Sequence, residues 1–505
     1  MTAPVLMVVG TASSVGKSVI VTALCRIFRQ DGVRVAPFKA QNMSNNADVT
    51  PDGLEIGRAQ SEQAAAAGLA PRVEMNPVLL KPQGNRTSQI VLNGRPAGLL
   101  TSAEYDRRAE LWPHVTHALD VLCEEYELVV AEGAGSPAEP NLYARDIVNM
   151  AVARYAQAPT ILVGDIDRGG VFAHFVGTLA LLPPEDRALV RGLVINRFRG
   201  DPALLDPAIR DVEERTGVPV LGVVPWIDDL GIAQEDAVAL ERRGLSRATM
   251  SDTFDVAVIR FPHIANFDDF DPLDAEPGVR LRYVERAEDL STPALLVLPG
   301  TKATIADLDW LRAQGLDAAV RTYVEGGRGT VLGICGGMQM LGERLLDPDG
   351  VEAVAGSDTP GLGLLPIATT FVADKTTRRA AGHIAAARGQ WASLRGHTVE
   401  GYEIHMGRTT ATGSTLDPLL TLDGHEDGAV SLDGRVAGTY LHGFFANDAA
   451  RRTLLRALGW RDPGGEAGVT AAQRREAEFD RLAAVVRAHL DMPQLRSMLG
   501  LPAGA

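Results

Sequence analysis

The segment Val5-Leu6-Met7-Val8-Val9-Gly10-Thr11-Ala12-Ser13-Ser14-Val15-Gly16-Lys17-Ser18 decides the fold of the first half of the chain. Its apolar, largely β-branched beginning reads as a strand buried on both faces. The strand empties into a loop of small residues ending Gly-Lys-Ser, and a helix-forming run follows. Strand, loop and helix together make a phosphate cradle, because backbone N–H groups and a helix N-terminus converge on anionic oxygens. Lys17 is placed to reach the β and γ oxygens of a nucleotide and Ser18 to ligate Mg2+, with Thr11, Val15 and Gly16 shaping the loop. Five residues separate Gly10 from Gly16, one more than in the simplest form of this motif.

Similar runs follow at Leu128–Val130, Thr160–Val163, Leu193–Ile195 and Val220–Val224, each trailed by a polar loop and a helical pattern. Strands alternating with helices predict a parallel sheet covered on both faces. A second series, Val256–Ile259, Ala294–Leu298, Thr330–Ile334 and Val436–Tyr440, predicts another such unit. The fold class is therefore two doubly wound α/β domains. We place the first at 1–230, a linker at 231–252, the second at 253–450 and a helical tail at 451–505. In the tail, Phe479, Leu482, Val486, His489 and Leu490 mark one helix face. The expectation is that the tail caps the second domain.

At 505 residues the chain can bury large cores without cross-links. Its three cysteines exclude a disulfide framework and suit a reducing cytoplasm. The balance of 49 Lys and Arg against 64 Asp and Glu leaves a net charge of −15, which disfavours nucleic acid and anionic membrane surfaces as partners. No apolar run approaches the roughly 18 residues of a bilayer span. The expectations are small-molecule partners, a cytoplasmic location, and an oligomeric state that the sequence leaves open.

Carboxylates stand at the ends of the first-half strands: Glu132, and Asp165 with Asp167. In open α/β sheets such positions face the ligand crevice, so Glu132 is a candidate to hold Mg2+. In the second half, Gly333-Ile334-Cys335-Gly336-Gly337-Met338-Gln339 has the layout of a nucleophile elbow. A strand ends at a cysteine, small neighbours permit a tight turn, and the following helix favours the thiolate. Cys25 and Cys123 lie in helical patterns and read as core residues. A thiolate nucleophile needs a base. His442, closing the strand before Gly443, is the first candidate, and His405 the second. Gly336 and the loop at Gly300 can offer the two N–H donors of an oxyanion hole.

Gly333 to Gln339 resembles the signature of class I glutamine amidotransferases, in which the cysteine attacks the glutamine amide, forms a thioester and releases ammonia. That class carries an acid two residues after its histidine, and here that position is Phe444. The departure resembles the cobyrinic and cobyric acid synthase subgroup. It leaves the group orienting His442 open between Glu403 and a backbone carbonyl. The first half is similar to dethiobiotin-synthetase-like phosphate-loop enzymes. That resemblance implies ATP as co-substrate, Glu55 as a further Mg2+ ligand and Asn196 as the residue reading adenine. Phe38–Asn46, Asn76–Pro82 and Asp165–Phe172 resemble the cobyric acid synthase family over its diamide-forming relatives. The family resemblance implies amidation of adenosylcobyrinic acid a,c-diamide at its b, d, e and g carboxylates, driven by ATP and glutamine. Polar groups are then expected around the phosphate crevice, with Lys39, Asn42, Asn45, Lys81, Asp146 and Arg168 as candidates for the corrinoid.

Three rival readings remain on the sequence. A cobyrinic acid a,c-diamide synthase would differ only in its corrinoid. A partition-type nucleotide switch shares the loop but has no use for Cys335 or His442. A cell-wall amidotransferase usually divides its two activities between subunits.

Overall fold

The first strand, Val5–Gly10, is buried along its whole length. It sits inside a six-stranded parallel sheet, flanked by Leu128–Glu132 and Thr160–Asp165. Val35–Phe38 closes one edge, and Val190–Phe198 and Val220–Pro225 extend the other. Residues 3–83, 87–101, 108–228, 230–231, 253–327, 329–413, 417–462 and 469–502 are described by this computed structural model. The expected linker at 231–252 lies almost entirely outside them.

The second domain is built the same way. Phe254–Ile259, Leu295–Leu298, Thr330–Ile334 and Val436–Thr439 form the middle of a six-stranded sheet, with Val279–Val284 at one edge and an antiparallel Ala429–Val430 at the other. Its core continues past residue 450: Leu454, Leu455 and Trp460 are part of it. Two doubly wound α/β layers are thus the observed architecture.

Three further sheets complete the two domains. In the first domain, Gln41–Met43, Val78–Pro82, Thr87–Leu92 and Arg95–Thr101 form a four-stranded sheet. A short hairpin, Ala47–Val49 with Glu55–Gly57, leads into the helix Arg58–Ala66. In the second domain the long antiparallel strands Ile367–Ile384 and Thr398–Ala411 reach across. Ala47, Val49, Leu79 and Val91 bury against Tyr402 and Ile404. Arg379 Nε donates to the Val49 carbonyl at 2.9 Å, and Asn266 Oδ1 accepts the Ala47 N–H at 2.9 Å.

The tail departs from expectation. Its helix, Ala471–His489, begins at a capping box of Thr470 and Gln473 and returns to the first domain. Phe479, Leu482, Ala483 and Val486 pack with Ile20, Leu24 and Phe28. Arg26 binds Glu476 and Asp480 at 2.9 and 2.7 Å. The helix end meets the strand at Gly222, where a Cβ would stand 1.9 Å from the His489 carbonyl oxygen. The apolar stripe was legible in the sequence, but which domain it would cover was not.

Candidate active site

Cys335 ends the strand Thr330–Ile334 and starts the helix Gly336–Leu341. Its backbone sits at φ 51°, ψ −111°, a region that costs on the order of 1–3 kcal/mol and persists only when the surroundings impose it. They do: the Cys335 N–H is held by the Thr439 carbonyl at 2.8 Å. A Cβ on Gly337 would stand 1.9 Å from the Leu298 carbonyl oxygen, so the turn can pass here only with glycine. The thiol is buried, lies 3.5 Å from the Ile404 carbonyl and lines one pocket with His442.

His442 is 1% exposed and stacks on Tyr402 at 5.3 Å. Its orienting group is Asp269, neither Glu403 nor a carbonyl. Asp269 Oδ2 lies 2.7 Å from His442 Nδ1, and its Oδ1 accepts the Gly443 N–H at 2.8 Å. A carboxylate only accepts, so Nδ1 carries the proton and Nε2 is left for the sulfur. Burial pulls the imidazole down, but the Asp269 carboxylate and the sulfur outweigh it and push it up to about 10. Glu403 instead pairs with Arg378.

His405 lines the same pocket in a different state. Its ring stacks on Tyr440 at 3.7 Å, and its Nδ1 bonds the Gly407 carbonyl at 2.9 Å. Burial lowers it to about 4, so it stays neutral. Of the two candidate bases, only His442 combines the sulfur with a buried carboxylate. Gly336 and Gly300 close on the same point. A Cβ on Gly336 would lie 2.7 Å from Thr301 Cγ2, and one on Gly300 would lie 2.9 Å from His442 Cε1. Gln339 is fixed beside them, donating to Tyr440 Oη and accepting from Thr304 Oγ1, both at 3.1 Å.

In the first domain, the loop predicted to cradle phosphate is bound to the acids predicted beside it. Lys17 Nζ donates to the Ala12 and Gly135 carbonyls, both at 3.1 Å. Ser18 Oγ donates to Glu132 Oε1 at 2.8 Å. Lys39 Nζ and Gln63 Nε2 donate to the two Glu132 oxygens at 2.8 and 2.6 Å. The charges of Lys39 and Lys17 keep this fully buried carboxyl below its ordinary range, although burial alone would raise it. Gly16 has φ 98°, and a Cβ there would stand 2.2 Å from Asn196 Nδ2. Asn196, the residue expected to read adenine, donates from Nδ2 to the Val15 carbonyl at 2.8 Å, so its amide braces the loop. Thr11 donates its N–H to the Val163 carbonyl at 2.9 Å, and its buried hydroxyl makes no hydrogen bond among the described residues.

Ser18 and Glu132 therefore meet, as two oxygen donors of a Mg2+ site should. Glu55 does not join them. One of its oxygens takes Lys81 Nζ at 2.7 Å, and the other takes Lys375, a residue of the second domain. The two lysines hold this buried acid down at about 2, against the upward push of burial. Lys81 is correspondingly a structural partner, and it reaches the wall of the Cys335 pocket together with Lys302 and Lys375. Among the described residues, no group of three or more His, Cys, Asp or Glu side chains forms a ready-made metal cluster.

The other corrinoid candidates divide. Asn42 is buried and donates to Gln60 Oε1 at 2.9 Å. Asp146 is taken up structurally: its carboxylate accepts the N–H groups of Val148, Asn149 and Ala151 at 2.9, 2.8 and 2.9 Å. Asn45 keeps a buried Oδ1 that makes no hydrogen bond among the described residues, as do Gln41 Oε1 and Gln60 Nε2 nearby in sequence. Arg168 is exposed at the loop before the helix Val171–Leu181. Asp165, expected at the same strand end, pairs with Arg197 at 2.7 Å.

Asp269 and Lys375 were missed by the sequence reading. The one signal for Asp269 was its setting, Phe267-Asp268-Asp269-Phe270, where two acids sit inside an aromatic frame that asks to be buried.

A family model described as a CobQ/CobB/MinD/ParA nucleotide binding domain matches residues 6–239, and one described as a CobB/CobQ-like glutamine amidotransferase domain matches residues 255–450. With the phosphate loop and the Cys335 elbow, these define the class: an ATP-dependent glutamine amidotransferase carrying both halves in one chain. Cobyric acid synthase of Roseiflexus castenholzii is 55% identical over 98% of this chain and 99% of its own. That of Chloroflexus aurantiacus is 54% identical over 97% of this chain and 98% of its own. That of Chloroflexus aggregans is 56% identical over 91% of this chain and 92% of its own. The chain belongs to the cobyric acid synthase family.

Proposed function

We propose that the chain releases ammonia from glutamine at Cys335 and delivers it to the phosphate-loop site. There it amidates the b, d, e and g carboxylates of adenosylcobyrinic acid a,c-diamide, one ATP and one glutamine per amide, to give adenosylcobyric acid. The observation that carries this reading is the Asp269–His442–Cys335 array, in a pocket whose wall includes Lys81 of the other domain.

In the second domain, Cys335 Sγ attacks the glutamine amide carbon. His442 Nε2 takes the thiol proton and returns it to the departing nitrogen, leaving as ammonia. The N–H of Gly336 and the loop at Gly300 face the developing oxyanion. Water then attacks the thioester, His442 accepts its proton, and glutamate leaves as the Cys335 sulfur is regenerated. Asp269 keeps the imidazole in one tautomer throughout.

In the first domain a carboxylate is a poor electrophile, so one of its oxygens attacks the γ-phosphorus and ADP departs. Ammonia then displaces phosphate from the acyl phosphate. Lys17 neutralises charge on the transferring group. Ser18 and Glu132 are the residues that would hold Mg2+, which supplies further charge neutralisation when bound. Lys39 and Gln63 fix the Glu132 carboxylate. Glu55, bound by two lysines, supports the contact between domains and is withdrawn from the ligand set. For the corrinoid, Arg168 remains the exposed candidate and Asn45 a half-buried one; Lys39, Asn42 and Lys81 are bonded to Glu132, Gln60 and Glu55, and Asp146 is a cap.

The test is incubation with Mg-ATP, glutamine and adenosylcobyrinic acid a,c-diamide, followed by mass spectrometry of the corrinoid. A stepwise ladder ending at the tetra-amidated species is expected. An unchanged corrinoid with glutamine still consumed would overturn the acceptor assignment. Amidation of cobyrinic acid in its place would transfer the chain to the diamide-forming reaction.

A further inference from the structure

Asp269 orients His442 from a short turn, Phe267–Phe270, and that turn is not held by its own domain alone. Its neighbour Asp268 is 8% exposed, and Arg58 Nε of the first domain lies 3.0 Å from Asp268 Oδ2. The same guanidinium binds Asp48 Oδ2 at 3.3 Å and Glu62 Oε1 at 3.2 Å. Glu62 in turn meets Arg475 of the tail helix at 3.5 Å. Asn266, the residue before the turn, accepts the Ala47 N–H of the first domain. Arg58 projects from a fixed support, because Gln63 on the same helix is bonded to Glu132.

The charges explain why the contact matters. Two adjacent carboxylates, Asp268 and Asp269, are buried on one turn, and His442 answers only the second. Burial pushes the Asp268 carboxyl up to about 7 in spite of Arg58, and Asp269 adds to the rise. Without the guanidinium, Asp268 would have to take up a proton or swing toward solvent. Either would move the backbone that aims Asp269. The planar fork of arginine sends a different nitrogen to each of the three carboxylates, whereas the three donors of an ammonium all leave from one atom.

The geometry points to Arg58 as a positioning residue for the glutaminase, supplied by the first domain: it holds Asp268, and through it the turn from which Asp269 orients His442. This inference rests on the assignment of Cys335 and His442 as the glutaminase pair. It implies that the second domain is an incomplete glutaminase until the first is docked on it.

The test uses the full chain. Release of glutamate by the native protein, and its loss in Cys335→Ala, establishes the underlying assignment independently. Arg58→Gln is then assayed in three ways: glutamine hydrolysis, synthesis from added ammonium, and alkylation of Cys335 by iodoacetamide against pH. The last reads the thiolate–imidazole pair directly, since Cys25 and Cys123 are buried core thiols raised above their ordinary range. The expected result is a fall of about 100-fold in glutaminase kcat, the scale of a misplaced catalytic group, with KM for glutamine little changed. Cys335 alkylation near neutral pH should slow in parallel, while ammonium-dependent synthesis is kept. Arg58→Lys should recover part of the loss. Asp268→Asn, which keeps the shape of the turn, should show the same split and serves if Arg58→Gln fails to fold. Full glutaminase with an unchanged alkylation profile in either variant would overturn the inference. So would a parallel loss of the glutamine- and ammonium-dependent reactions.

Discussion

Replacing Asp269 by Asn exchanges one oxygen for an NH2 group and, on this structure, inverts the imidazole it serves. Asp269 now accepts two protons, from Gly443 N at 2.8 Å and from His442 Nδ1 at 2.7 Å. The backbone N–H can only donate, so the single oxygen of Asn must face Gly443. The Asn NH2 then faces His442 Nδ1, which has to accept. The ring proton moves to Nε2, the nitrogen that should take the proton of Cys335. The larger of the two influences that lift the imidazole to about 10 is lost as well, leaving the sulfur alone against the downward push of burial. The same exchange in a serine triad costs about 10⁴ in kcat, and a thiol, being the stronger acid, sets a smaller loss of about 10³ here. The assay is glutamate release from glutamine, run beside synthesis from ammonium, which should be spared. Glutaminase within about threefold of the native rate would refute the reasoning, since general-base loss is worth at least about 10².

Further expectations follow from other contacts. The Asp269–His442 pair also sets a pH dependence. A histidine raised on folding stabilises fully below its ordinary 6.5 and ceases to as pH climbs toward 10, so the Tm gap between native protein and Asp269→Asn should narrow over that window in thermal melts. Glu55→Gln leaves Lys81 and Lys375 without their counter-ion between the domains and should lower stability by about 3–5 kcal/mol, read by denaturant melts. Lys17→Ala should stop amidation from glutamine and from ammonium alike while glutamate release continues; substantial synthesis would remove Lys17 from the reaction. Phe479→Ala should destabilise by about 3–5 kcal/mol through the cavity it opens against the first domain, and an unchanged melt would contradict the docking of the tail.

Local motifs carried most of what the sequence could tell. The cradle at Gly10–Ser18 and the elbow at Gly333–Gln339 are each set by contiguous residues, because tight turns dictate their own small neighbours. The nearness of Ser18 to Glu132 was likewise legible, since Ser18 opens the helix that follows the first strand and Glu132 ends the strand beside it. What escaped depended on distant partners. Asp269 precedes His442 by 173 positions, and only the packing of the second domain brings them together. Glu55 looked like a metal ligand because nothing local reveals Lys375, which arrives from the other domain. Asp146 looked free because its three backbone donors are made by the turn it caps. The small sheet from Gln41 to Thr101 was missed because its strands are short, partly polar, and broken by Pro and Gly. The tail helix was visible as an amphipathic stripe, but a stripe does not name the surface it covers.

The division of labour between the two domains is tested most directly by the origin of the amide nitrogen. Native protein and Cys335→Ser are each given glutamine carrying heavy amide nitrogen together with excess unlabelled ammonium, and the corrinoid product is weighed. Heavy nitrogen in the native product and only unlabelled nitrogen in the variant's product is the predicted result. Heavy nitrogen in the product of Cys335→Ser would contradict the account, because the amide would then reach the phosphate-loop site without passing through this cysteine.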